Sequence, residues 1–166
     1  MTAQHIINSI EFAKKSLEIR DTIARSDLQR VKDLLTSETE ALSWRLAGEV
    51  GADKKARLHL SISGIVGVPC ARCLESMLIT LDIHSEFILV KDESEIPSEE
   101  DDVEDHDYIV AEAEMDVLQL VEDEILLALP YAPKHDIKDC AVKAEVNELK
   151  APNPFAVLRD LKVVKS

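Results

Sequence analysis

Apolar and polar residues alternate along three stretches of the chain, at residues 41–50, 56–68 and 77–90. This period of two is typical of β-strands that bury one face and expose the other. The expected inward residues are Leu42, Trp44, Leu46 and Val50; Leu58, Leu60, Ile62, Val66 and Val68; and Ile79, Leu81, Ile83, Phe87 and Leu89. Short connections between the stretches predict an antiparallel meander.

Smaller segments extend this predicted sheet. Residues 17–23, "LEIRDTI", also alternate and predict a further strand, and "YIVAEA" at 108–113 predicts a short one. If the hairpin of the two longest strands is symmetric about residues 72–73, His59 lies opposite Glu86 as a solvated cross-strand pair. The first 15 residues fit neither a helical nor a strand period well.

Helical signals are strongest at 115–130, "MDVLQLVEDEILLALP", where Asp116 is positioned to cap the helix and Pro130 to end it. Residues 26–35 predict a second helix, because Ser26 and Gln29 have capping-box spacing and apolar residues follow at helical spacing.

A short C-terminal helix is predicted at 152–164, "PNPFAVLRDLKVV". Asn153 is its cap, Pro154 its first helical residue, and Phe155, Leu158 and Leu161 form its apolar stripe. The expected fold is α+β: a curled antiparallel β-sheet with one long packed helix and a short C-terminal helix, in a single domain spanning 1–166.

Charge is distributed unevenly along the 166 residues. Residues 1–91 carry 12 basic and 12 acidic side chains, whereas residues 92–166 carry 7 basic and 21 acidic ones and so account for the whole net charge of −14. Residues 92–107 form an acidic stretch without periodicity, which predicts a flexible loop. An acidic surface repels phosphate backbones and attracts basic proteins.

No apolar run approaches the roughly 20 residues that cross a bilayer, and the first residues do not resemble a signal peptide. We therefore expect a cytoplasmic protein without a disulfide framework, since the cysteine count is also odd.

Catalytic patterns are absent from the sequence, which has four glycines, no phosphate-cradling loop and no Ser/His/Asp arrangement. A carboxylate run at 122–124 is expected to be a solvated helix face.

The three cysteines carry the most specific chemistry. Cys70 and Cys73 have the spacing with which one turn presents two thiolates to one metal, and His135 and Cys140 lie close together on a later loop. These four residues form a candidate Cys3His site for one structural zinc ion, because zinc prefers tetrahedral thiolate and imidazole ligands.

Two other interpretations of the cysteines stay open at the level of sequence. Three reduced thiols and a histidine can simply pack at the joint between hairpin and loop, because free cysteine is among the most buried residue types. A redox pair is favoured less, since that role calls for a CxxC at a helix N-terminus and this one joins two strands.

Three blocks in order, "PCARCLESM", "MDVLQLVEDEILLALPYAPKHDIKDC" and "NPFAVLRDLK", resemble the bacterial YceD family, the large ribosomal RNA subunit accumulation proteins. The resemblance is strongest over residues 40–163. The family-type positions beyond the four candidate metal ligands are Arg72, Glu122, Glu124, Pro130, Pro133, Asn153, Pro154 and Phe155.

This resemblance implies a non-enzymatic accessory role in the synthesis, processing or stability of large-subunit (23S) ribosomal RNA. The charge distribution favours a basic ribosomal protein or assembly factor as partner, with ribosomal RNA contacted indirectly or weakly, and no membrane or small-molecule substrate is expected. One alternative is a direct RNA-binding zinc-knuckle module that uses Lys54, Lys55, Arg57 and Arg72 at the hairpin. A thiol oxidoreductase is the other alternative.

Overall fold

The computed structural model describes residues 5–98, 107–136 and 139–140 of the chain. Within these residues the elements, in chain order, are β1 (Ile6–Ile7), α1 (Ser9–Lys14), β2 (Glu18–Ile23), β3 (Leu42–Val50), β4 (Ala56–Pro69), β5 (Ser76–Val90), β6 (Asp107–Val110), β7 (Met115–Asp116) and α2 (Val117–Ala128). Three single 3₁₀ turns lie at Arg25–Asp27, Lys32–Leu34 and Glu93–Glu95. The predicted C-terminal helix, with Asn153, Pro154 and Phe155, and residues 99–106 of the acidic loop lie outside the described residues.

An open five-stranded sheet in the order β2-β3-β4-β5-β6 forms the centre of the fold, and β1 pairs separately with β7. The α+β class with a mostly antiparallel sheet is confirmed. Strand β6 differs from the expected meander because it runs parallel to β5. Two parallel neighbours cannot be joined by a tight turn, which agrees with the long stretch of sequence between Val90 and Asp107.

The β4–β5 hairpin follows the predicted register closely. His59 lies opposite Glu86, and their side chains approach to 3.7 Å on the polar face. On the other face Leu58, Leu60 and Ile62 are fully buried, as their alternation predicts. The period-two pattern therefore determined both the pairing and which face packs inward.

Strand β3 shows where the prediction for inward residues was incomplete. Leu42, Trp44 and Leu46 are buried, but Val50 at the turn end of the strand remains 44% exposed. Between them Gly48 takes an inward position against α1, where an added Cβ would lie 2.7 Å from the Cα of Ala13. Close approach of the helix backbone, which only glycine permits here, covers the strand at this point.

Helix α2 confirms the strongest helical prediction. The Asp116 side chain accepts a hydrogen bond from the Leu118 N–H at 3.0 Å, and the helix ends just before Pro130. It buries Val117, Val121 and Ile125 against the sheet. Burying an apolar stripe in this way supplies most of the stability of a helix of this length.

The predicted helix at 26–35 is wrong. This segment contains only the two 3₁₀ turns, and Ser26 makes no helix cap. Its apolar residues Leu28, Val31 and Leu35 are nevertheless buried. The reason lies in tertiary hydrogen bonding: the backbone N–H groups of residues 29 and 30 bond to a side chain of α2 instead of to helical carbonyls.

Candidate metal centre

Cys70 and Cys73 lie in the turn between β4 and β5. The Cys70 N–H donates to the Glu75 carbonyl at 2.8 Å and the Leu74 N–H donates to the Cys70 carbonyl at 2.9 Å, which closes the turn. Leu74 has a positive φ of 65°, in the left-handed region that tight turns require. The turn also directs the Arg72 N–H toward the Cys70 sulfur, at 3.4 Å.

The loop that follows α2 crosses the tip of this hairpin. Its position is held by the Ala71 N–H, which donates to the Pro133 carbonyl at 2.7 Å. The His135 ring then bridges to the hairpin: Nδ1 lies 3.4 Å from the Cys73 Sγ and Nε2 lies 3.3 Å from the Ser76 carbonyl oxygen. Residues separated by 62 positions in sequence are thereby brought together.

Cys140 completes the group. The ligand atoms of Cys70, Cys73, His135 and Cys140 all lie within 4.8 Å of one another. Cys70 and Cys140 are buried, the other two are half-buried, and all three thiols are free. The structure thus brings together all four residues that the sequence spacing had selected.

The donor set fits zinc. Bonds of about 2.3 Å from zinc to sulfur in a tetrahedron place neighbouring sulfurs about 3.8 Å apart, so the cluster needs only a small contraction to bind an ion. Four protein ligands fill the coordination sphere and leave no position for a substrate, which is the pattern of structural sites. The cluster can therefore hold a metal as a cross-link between the hairpin and the later loop.

Hydrogen bonding at the cluster favours the thiolate form of Cys70. Burial raises the pKa of the Cys70 thiol, but hydrogen bonds from the backbone of Cys73, His135 and Arg72 outweigh it and lower that pKa to about 6. The hydrogen bond with Cys73 raises the pKa of His135, against the opposing effect of burial. A lowered thiol pKa suits a metal ligand and a redox cysteine equally. The helix N-terminus that a redox CxxC uses is replaced here by a hairpin turn.

The basic residues of the RNA-binding alternative lie at opposite ends of strand β4. Lys54, Lys55 and Arg57 lie at or beside the β3–β4 turn, whereas Arg72 lies at the opposite end of the 14-residue strand β4, roughly 40 Å away at 3.3 Å per residue. Arg57 is also paired with Asp53 at 2.8 Å and with Glu86 at 2.6 Å. The four residues therefore do not form one cluster at the tip of the β4–β5 hairpin.

Glu122 is a buried structural residue, contrary to the prediction of a solvated face. It was expected on a solvated face, but it is only 4% exposed and its carboxylate accepts hydrogen bonds from the N–H groups of Gln29 and Arg30. Glu124 on the same helix accepts a hydrogen bond from Ser85. Helical spacing carried the signal, because Glu122 precedes the buried Ile125 by three positions and so lies on the same side of the helix.

The remaining family-type positions that are described surround the cluster. Arg72 stands between the two hairpin cysteines, Pro130 follows the end of α2, and Pro133 supplies the carbonyl that anchors the loop.

None of the helices in residues 5–98, 107–136 and 139–140 is long and apolar enough to cross a membrane.

Comparison with known proteins agrees with these blocks. A family model described as "Large ribosomal RNA subunit accumulation protein YceD" matches residues 58–162. The protein of that name from Haemophilus influenzae is 28% identical over 167 aligned residues, which cover 94% of each chain. No solved structure matches the chain.

Proposed function

Because the chain belongs to the YceD family, we propose that it is a non-enzymatic accessory factor that promotes accumulation of the large-subunit (23S) ribosomal RNA in the cytoplasm. The single observation that carries this proposal is the match over residues 58–162, which spans the hairpin, α2 and the four-residue cluster. The family name describes an effect on ribosomal RNA level. It leaves open whether synthesis, processing or stability of that RNA is affected.

A basic protein of the assembling large subunit is the partner that the charge distribution supports. All of the net charge of −14 comes from residues 92–166. A strongly acidic surface accelerates encounter with basic partners and disfavours direct contact with a phosphate backbone. The partner is therefore a basic ribosomal protein or assembly factor, and contact with RNA is indirect.

Capture from cell lysate tests this partnership. The tagged chain should retain a basic protein at low salt and lose it as salt rises, because screening weakens contacts between exposed charges. Neutralising the acidic residues Asp92, Glu93 and Glu95 should reduce recovery, whereas neutralising three exposed acids of the first half, Asp27, Asp33 and Glu38, is the matched control. Recovery of ribosomal RNA alone, without a basic protein, would contradict the proposal.

Zinc is the metal that we propose for the Cys3His cluster. Its role is to cross-link the hairpin turn to the loop after α2, with the ion bound by Cys70, Cys73, His135 and Cys140. Protein purified without chelator should contain close to one zinc ion per chain. His135→Ala should lose the metal, whereas His84→Ala, on the exposed polar face, should keep it. Metal-free protein that melts at the same temperature with and without added zinc would refute the site.

A further inference from the structure

An apolar groove lies beside the metal cluster and has no role in the proposed function. It has a volume of about 510 Å³. Its walls are the 3₁₀ turn at Lys32–Leu34, the tip of the β4–β5 hairpin, and the end of α2 with the loop that follows it. The main apolar lining residues are Leu34, Val68, Leu74, Leu126, Leu129 and Tyr131. Cys70 contributes to the same wall, so the groove and the cluster share a residue.

Three of the lining side chains are unusually accessible for their type. Leu74 is 78% exposed, Leu34 is 50% exposed and Tyr131 is fully exposed. Isolated exposed apolar residues are common, but three of them around one apolar groove indicate a binding site.

The path of the chain identifies an occupant. The sulfur of Cys140 lies within 4.8 Å of the sulfur of Cys70, a residue of the groove wall, so the chain is close to the groove at Cys140. Residues 141–152 then separate Cys140 from the segment 153–163, and 12 residues can span at most about 40 Å, which is ample for a return to the groove. That segment carries the apolar stripe Phe155, Leu158 and Leu161 at helical spacing.

We propose that residues 153–163 dock in this groove, with their apolar stripe against the hairpin tip and the end of α2. An isolated helix of about 11 residues is marginal in water, so the segment needs an apolar surface to become ordered. Because segment and groove belong to one chain, docking is intramolecular at an effective concentration in the millimolar range. The metal cluster would fix the start of the connecting residues next to the groove. The inference is independent of the proposed partner.

Hydrogen exchange on the full-length protein tests the docking. The amides of residues 155–163 should exchange slowly in the wild type, because an undocked 11-residue helix gives little protection. Leu74→Asp in the groove and Leu158→Asp in the segment should each speed this exchange at least about tenfold. Leu127→Asp is the matched control, since Leu127 is 80% exposed on α2 and lies outside the groove.

Site-specific cross-linking provides a second, direct measurement. With p-benzoylphenylalanine in place of Phe155, irradiation should link the segment to peptides containing residues 68–74 or 126–133 of the same chain. Links between two chains, or protection that grows with protein concentration, would show that a second copy fills the groove and would overturn the proposal. Fast exchange of residues 155–163 in the wild type would overturn it as well. Circular dichroism of the three aspartate variants checks that each of them folds.

Discussion

Replacing Glu122 should destabilise the protein far more than replacing the acid beside it. The Glu122 carboxylate is 4% exposed and accepts two backbone hydrogen bonds, one from Gln29 and one from Arg30, the latter at 2.9 Å. These bonds hold the 24–35 segment in its non-helical path and so place Leu28 and Val31 in the core. Glu122→Ala removes both bonds at once.

The size of the loss follows from the environment of the carboxylate. Hydrogen bonds to a charged group contribute about 1.5–3 kcal/mol each. Gln29 and Arg30 are exposed residues, so water can reach part of their N–H groups after truncation, and the lower end applies. We therefore expect Glu122→Ala to lower the free energy of unfolding by about 3 kcal/mol. For a chain of this length that lowers Tm by roughly 6–12 °C.

Asp123 provides the matched control. Its carboxylate pairs with the Arg30 guanidinium, but both side chains are about half exposed, so the pair contributes at most about 1 kcal/mol. Urea denaturation of wild type, Glu122→Ala and Asp123→Ala at pH 7 measures the three stabilities on one scale. If Glu122→Ala costs no more than Asp123→Ala, the buried carboxylate does not organise the segment and the reasoning is wrong.

Three further predictions concern other parts of the molecule. Gly48→Ala should cost about 1–3 kcal/mol in chemical denaturation, since its Cβ would lie 2.7 Å from the Ala13 Cα and would push α1 from the sheet. Glu18 accepts hydrogen bonds from Arg45 and Arg20, which lower its pKa to about 2. The stability this gives is complete above the ordinary pKa of 4.5 and is lost as pH falls through about 2, so Glu18→Gln should be less stable than wild type at pH 6, and the difference should disappear only below pH 2. Removal of metal with a chelator should lower Tm, and the apparent zinc affinity should fall as pH decreases because the thiols must lose protons to bind, an expectation that calorimetry at two pH values checks.

Several features of the protein could be predicted from short stretches of sequence, because interactions among nearby residues determine them. Strict alternation in β4 and β5 determined the register and the buried face, because a shift by one residue would expose the whole apolar set. The cap at Asp116 and the stop at Pro130 likewise set α2 by interactions within a few residues. The C-x2-C and the later His and Cys were recognisable by spacing and donor chemistry alone.

Contacts between residues far apart in sequence determined the conformation of residues 26–35 and the approach of His135 to Cys73. Residues 26–35 have the capping and apolar signals of a helix, but the carboxylate of Glu122, about 90 positions later, takes their backbone N–H groups. Whether His135 reaches Cys73 depended on the loop being anchored across the hairpin by the Ala71–Pro133 hydrogen bond.

By itself, then, the sequence determined how β3, β4 and β5 pair, where α2 begins and ends, and which four residues have the chemistry of a zinc site. Only the tertiary structure decided that those four residues meet, that Glu122 is buried, and that an apolar groove opens beside the cluster. The physical reason is the range of the interactions. Periodicity, caps and turns act over a few residues of chain, whereas a cluster or a groove exists only after packing has brought distant segments within a few ångströms.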